Sequence, residues 1–514
     1  MEAGRASTAA CGRAQRDAAE AAEGGPLGNY SELVLAHQVS DGDEDSYLGL
    51  SRVERRRVRF GARAMLWEAS SLKSVRCCGR LIHGDGPDRR ADMGVTVKVS
   101  PGPNGSNVAG FGNLATCGSV WACPRCAAVI ASRRAVEIGN AVREAIRLGG
   151  SVYMLTLTMR HDREQRLEDL WEGLTSGWRA TFGSELWTGR EARVTAKRGY
   201  FRPAVMGDAD RFQVAGLSRT VECTYGVAGW HLHAHVLVYC VERSMASALT
   251  EDWKGLIREL TGATSVPEVG WWGRVAFGAR VSGQWRRGLV KKDLNCGAVG
   301  VDLRQVTDDG ADYIARYLSK STYDVAAKMG EEAALGLVTK AGRGRNQTPF
   351  ELLYDLSESV SMRAWGIRTP RHWKVVADES EFLVVDMDTA EVRAAVPPGR
   401  WNLWWVWEQG SQRRRQLVWT HRQAALTERS VRWNMILDAR GRERADDDIV
   451  GEGLGGYHLG EIAASEWYGK LAFRPSWLAE LLEAAEDPDP NELSVWMQNR
   501  RIELTHGSRA KNTE

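Results

Sequence analysis

The 514-residue chain contains no run of about 18 apolar residues, which excludes a helix that crosses a bilayer. Its longest apolar stretches, 153–159 and 235–241, have the length of strands. The opening residues lack a basic start followed by an apolar segment, which argues against a secretory signal and for the cytoplasm. Only nine cysteines are present, and in that compartment they are expected as thiols or metal ligands rather than disulfides. Neither charge dominates: 68 Lys and Arg stand against 66 Asp and Glu, and a formal charge of +2 does not by itself announce a polyanionic partner. No GxxxxGK[ST] phosphate loop occurs, so nucleotide-driven unwinding is not expected of this chain.

The distribution of charge says more than its sum. Residues 51–134 carry 15 basic against 5 acidic side chains, whereas 1–50 carry 3 against 9 and 441–500 carry 5 against 13. Five segments follow: a disordered acidic leader at 1–50, a basic Cys-rich segment at 51–148, a region alternating strands and helices at 149–345, an accessory region at 346–440 and an acidic helical end at 441–514. A Gly/Pro/Asn loop is expected over 84–112, and Pro124 opens a helix that Gly149 and Gly150 stop. YMLTLT at 153–158 is a strand, Asp162 and Gln165 have the spacing of a capping box, and an apolar stripe from Leu167 to Trp178 makes the next helix. Strands at 219–225 and 231–241 flank a glycine-bounded hairpin loop at 226–229. A helix is expected over 245–260, Gly- and Trp-rich connecting sequence after it, and a short helix near 310–328. The predicted fold class is α+β: an antiparallel sheet with helices on one face, preceded by a small Cys-rich zinc element and followed by a mixed or helical C-terminal region.

The strongest local signal is WHLHAHVLVY at 230–239. Alternation along a strand points His231, His233 and His235 to one side. A turn at 226–229 makes paired residue numbers sum to 455, which puts Glu222 across from His233 with Cβ atoms about 5 Å apart. Histidines plus a carboxylate outline a divalent-metal site; the competing reading is a half-exposed strand with satisfied imidazoles.

DYIARYLSK at 312–320 is the second signal. On a helix, Tyr313 and Tyr317 lie about 40° apart, with Lys320 and Arg316 close by. A phenol with a pKa near 10 is a poor nucleophile unless a polarised electrophile and positive charge assist it. Snorkelling surface tyrosines are the plainer alternative. The third signal is CGSVWACPRC at 117–126, with Cys77 and Cys78 upstream. Cys117, Cys123 and Cys126 with one of the earlier pair would complete a tetrahedral sulfur site for structural zinc.

In this order the three pieces, together with MLTLTMRH ending at His161, resemble the rolling-circle replication initiators (Rep) of bacterial plasmids, members of the HUH endonuclease superfamily. The likeness covers about residues 75–420 and implies an HUH nickase domain at 149–345. It implies His233 and His235 as ligands of a catalytic Mg or Mn, with Glu222 or His231 as the third, and Tyr317 as nucleophile. Tyr313 falls where some relatives place a water-directing glutamate, which implies a second transesterification. The implied partners are single-stranded or extruded origin DNA, a host helicase and a DNA polymerase, with no membrane. A two-tyrosine HUH transposase and a non-catalytic zinc-dependent DNA-binding regulator are the competing assignments.

Overall fold

A computed structural model describes residues 52–82, 94–101, 107–195, 199–243, 245, 269–297, 300–306, 348–350, 352–353, 373–377, 382–386, 389, 392–396, 398–441 and 457–505. The elements, in chain order, are α1 (Arg52–Ala69), β1 (Val95–Pro101), β2 (Asn107–Gly112), α2 (Pro124–Arg147), β3 (Ser151–Leu157), α3 (Leu167–Phe182), β4 (Arg193–Val194) and β5 (Phe201–Arg202). They continue with β6 (Val214–Gly226), β7 (Gly229–Cys240), α4 (Val269–Val290), β8 (Val301–Val306), β9 (Trp373–Ala377), β10 (Phe382–Asp386) and β11 (Val392–Val396). Last come α5 (Pro398–Gly410), β12 (Leu417–Trp419), α6 (Glu428–Arg440), β13 (Tyr457–Ile462), α7 (Pro475–Glu486) and α8 (Pro490–Asn499). The expected leader at 1–50, most of the helix at 245–260 and the tyrosine helix near 310–328 lie outside the described residues. No described helix is long and apolar enough to cross a membrane.

An antiparallel five-stranded sheet in the order β12-β6-β7-β3-β8 organises the centre. β6 and β7 form a hairpin in which Gly226 pairs with Gly229, so the connection is the two residues Val227 and Ala228 and the pairing sum of 455 holds. Gly229 has φ +84°, and a Cβ there would come within 3.0 Å of the Arg163 backbone, which explains a glycine on both grounds. Asp162 and Gln165 do exchange reciprocal hydrogen bonds, but as a turn ahead of α3, whose N-cap is Arg166.

Helices cover both faces of this sheet, which corrects the expectation of one. Leu232, Ala234, Val236 and Val238 of β7 pack with Leu170, Trp171 and Leu174 of α3 and with Phe277, Val281 and Trp285 of α4. The alternate residues Leu237, Tyr239 and Val241 pack under Ile138 and Val142 of α2 and Trp433 and Ile436 of α6. The second face is thus closed at one end and carries the imidazoles at the other.

The Gly- and Trp-rich stretch expected as connecting sequence is α4, a 22-residue helix. Glycine costs a helix about 1 kcal/mol per residue, so local propensity argues against one here. Packing reverses the balance: a Cβ on Gly288 would stand 2.5 Å from Gly177 Cα, and one on Gly177 would stand 2.4 Å from the Trp285 ring. The missing side chains let α3 and α4 meet backbone to backbone.

A second core joins the two ends of the described chain. β13 pairs with β1 and β1 with β2, and α1 and α7 pack on that sheet through Phe60, Trp67, Leu478 and Leu482. The 84–112 segment therefore contains two strands where a loop was expected. Opposite charge at the two ends is spent here in part: Arg56 and Glu486 form a buried pair, with Nη1 donating to Oε2 at 3.0 Å, and Glu486 also accepts the Ala109 N–H at 2.7 Å. Arg59 and Arg63, on the same helix, are buried as well.

Candidate metal centres

The hairpin register sets the first centre. Glu222 lies opposite His233, and their side chains and that of His235 project from the same face of adjacent strands. Glu222 Oε2 is 2.9 Å from His233 Nε2 and 3.1 Å from His235 Nε2. The three ligand atoms lie within 4.8 Å of one another. An octahedral ion with bonds of about 2.1 Å has cis ligands about 3.0 Å apart, so a cation could replace the shared protons with little movement. On the far side of the ring, His235 Nδ1 is 3.2 Å from Thr156 Oγ1 of β3, a contact that orients the imidazole. His233 Nδ1 is buried and has no hydrogen-bond partner among the described residues.

Electrostatics keep this cluster ready for a cation. Burial opposes ionisation of Glu222, but hydrogen bonds from His233 and His235 outweigh it and hold the carboxyl well below its usual range. Burial lowers the His235 pKa against the pull of Glu222, and burial with the neighbouring His233 and His161 lowers His231 to about 4. An ionised Glu222 carboxylate and a His235 ring biased to its neutral form are the protonation states a metal requires of those two groups.

His231 does not join that carboxylate group. It meets His161 instead, with His161 Nε2 2.7 Å from His231 Nδ1, while His161 Nδ1 lies 3.0 Å from the Ala228 carbonyl. His161 was not among the expected site residues; its place at the end of MLTLTMRH was the signal that could have found it.

Four sulfurs build the second centre. Cys78, Cys117, Cys123 and Cys126 have their Sγ atoms within 4.8 Å of one another, with closest separations of 3.5 Å for Cys78 to Cys126 and 3.6 Å for Cys117 to Cys126 and Cys123 to Cys78. A disulfide needs about 2.05 Å, whereas a zinc tetrahedron with bonds of about 2.3 Å has edges of about 3.8 Å. The set could hold a metal. Cys77, the alternative to Cys78, is outside the cluster. Hydrogen bonds from Cys117, Cys123 and Cys126 drive Cys78 far below the thiol range. Arg63, buried and with Nε and Nη2 lacking partners among the described residues, adds a positive charge that favours the thiolate form of Cys78, Cys123 and Cys126.

The two centres are braced together by aromatics. Trp407 Nε1 donates to the Trp121 carbonyl at 2.9 Å, the Trp121 and Trp407 rings meet edge to face at 5.3 Å, and Trp407 stacks on Trp230 at 5.9 Å. Trp121 belongs to the cysteine segment and Trp230 precedes the first histidine of β7. These tryptophans are core fillers. Tyr313, Arg316, Tyr317 and Lys320 lie outside the described residues.

Comparison with known proteins follows the same direction. The chain is 30% identical over 401 residues to "Protein rep" of Streptomyces lividans, covering 74% of this chain and 77% of that protein. It is also 34% identical over 137 residues to a "Neomycin resistance protein" of Streptomyces cyanogenus, covering 24% of this chain and 30% of that one. No protein-family model matches the chain. No solved structure matches it.

Proposed function

Because the chain belongs to the Rep protein family, we propose that it is a plasmid replication initiator, acting in the cytoplasm, that nicks one strand of its origin by tyrosine transesterification. The observation that carries this reading is the convergence of Glu222, His233 and His235 on one point of one face of the central sheet. A divalent ion held by these side chains, Mg or Mn, would act as a Lewis acid on the scissile phosphate. The Tyr317 hydroxyl oxygen attacks phosphorus and gives up its proton. The bond from phosphorus to the 3′ oxygen breaks, and that oxygen takes a proton to become the 3′-hydroxyl that primes a polymerase. The strand remains on Tyr317 as a 5′-phosphotyrosyl ester. Arg316 and Lys320 offset the charge that builds on the phosphate.

Because the ester keeps the phosphodiester energy, rejoining needs no nucleotide triphosphate. Tyr313 takes the second transesterification that closes the cycle. Unwinding falls to a host helicase, consistent with the missing phosphate loop. The Cys78, Cys117, Cys123 and Cys126 set would hold zinc in a structural role, its segment braced against the histidine hairpin through Trp121, Trp407 and Trp230.

The test is incubation of the full chain with labelled single-stranded origin DNA and Mn, followed by a denaturing gel. A covalent band lost in Tyr317→Phe and in His233→Ala supports the nickase, and Tyr313→Phe retains the first cut. Absence of a band from the wild type on any origin-containing strand assigns the chain to non-catalytic DNA binding instead.

A further inference from the structure

Residues 190–202 contain five Lys or Arg and one acid, Glu191. Among them β4 and β5 form an isolated two-stranded ribbon, Arg193 across from Arg202 and Val194 across from Phe201. An isolated ribbon is marginal unless its base is fixed, and here it is. Arg190 and Val205 bridge below the strands, and Gly189 and Gly207 approach so closely that a Cβ on Gly207 would stand 2.4 Å from the Gly189 nitrogen. Trp187 anchors the entry by edge-to-face contacts with Phe182 and Phe277.

The ribbon has two chemically different faces. On one, Glu185 receives three guanidinium groups: Arg190 at 2.7 Å, Arg202 at 2.8 Å and Arg193 at 3.4 Å. One carboxylate cannot balance three cations, and Arg193 remains 60% exposed. On the other face, Val194 is 64% exposed and Phe201 68%; Tyr200, just before β5 in the chain, is 66% exposed. Among the described residues, nothing in the packing explains large apolar side chains held in water on this anchored ribbon beside positive charge in excess of the one carboxylate.

We propose that this ribbon is a duplex-DNA arm that enters the major groove beside the nick site, its apolar face on the base edges and its guanidinium groups reaching the flanking phosphates. A two-stranded ribbon fits the roughly 12 Å groove, thymine methyls give apolar side chains a partner, and arginines neutralise phosphates. The arm's place in the fold fits a flanking contact. After it the chain passes through the short helix Asp208–Arg211 to Val214, which pairs with Cys240, five residues beyond His235. Val214, where the chain leaving the arm joins the central sheet, therefore stands about 16 Å along the strand from the ligand position of His235. This inference rests on the DNA-processing reading above, and it supplies a surface for sequence choice that the metal centre itself lacks.

The experiment is fluorescence anisotropy of the full chain on a labelled random-sequence 30-base-pair duplex and on the corresponding single strand, over a series of salt concentrations. In Arg193→Gln/Arg202→Gln, duplex affinity falls about tenfold and the slope of log K against log salt shrinks by about 1.8, the value for two phosphate contacts. In Val194→Ser/Phe201→Ser, duplex affinity falls severalfold with the slope retained. Wild-type affinity and slope in both variants would overturn the arm, and equal losses on single strand and duplex would overturn the groove assignment. So would loss of binding to phosphatidylglycerol vesicles with duplex binding unchanged, which would make the patch a membrane contact. Circular dichroism confirms that each variant is folded. The adduct assay with wild-type protein reports nicking separately: no adduct with a duplex loss in the variants removes the nickase and leaves the arm, and an adduct without that loss does the reverse.

Discussion

Glu222 stands directly across the β6–β7 pair from His233, and its Oε2 is 2.9 Å from the imidazole Nε2 while it also reaches His235 at 3.1 Å. One carboxylate oxygen thus serves two rings. The consequence is that the carboxylate, rather than His231, completes the three-atom set.

Glu222→Ala should therefore weaken Mn binding by at least about tenfold, measured by electron paramagnetic resonance titration of free Mn. His231→Ala should change it less than threefold. The reverse order would make the imidazole row, not the carboxylate, the binding group.

The sulfur cluster separates two adjacent cysteines. With zinc in the four-sulfur site proposed above, Cys78→Ser should lose that metal and lower the unfolding temperature, whereas Cys77→Ser should retain one equivalent of zinc by elemental analysis. A chelator should lower the melting temperature of the wild type and of Cys77→Ser alike. Zinc loss in both variants would show that Cys77 exchanges with Cys78 in the coordination sphere.

Glycine spacing in the α3–α4 contact has a measurable cost. Gly177→Ala places a methyl 2.4 Å from Trp285, whose Nε1 donates to the Thr158 carbonyl at 2.7 Å, so the ring has little room to shift. We expect a loss of about 1–3 kcal/mol in urea unfolding. Gly278→Ala meets nothing within 4 Å and should gain up to about 1 kcal/mol from helix propensity.

Acid should destabilise the metal-free protein through His231. Burial holds its folded pKa at about 4 against an unfolded value of about 6.5, so the unfolded chain binds the proton first as pH falls. Full stability from this group is present above about pH 6.5 and is lost progressively toward pH 4. In EDTA, the urea midpoint should drop between pH 7 and pH 5 by less in His231→Asn than in the wild type. An identical drop would assign the acid sensitivity to other groups.

The sequence by itself determined the local chemistry. A period of two and a glycine-bounded turn specify a pairing sum, and that sum puts Glu222 beside His233 without reference to any other part of the chain. The close spacing of Cys117, Cys123 and Cys126 likewise brings three sulfurs together. What only the tertiary structure decided depends on contacts distant along the chain. The choice of Cys78 over Cys77 follows from which neighbour the turn after the short helix Lys73–Cys77 directs inward. The close packing of helix α4 on α3 depends on Gly288 meeting Gly177 more than a hundred residues earlier. The pairing of β1 with β13 joins segments whose periodicity says nothing about each other. Even the faces of the central sheet were settled this way, since alternation reveals that a strand has two sides but not which helices arrive to cover them.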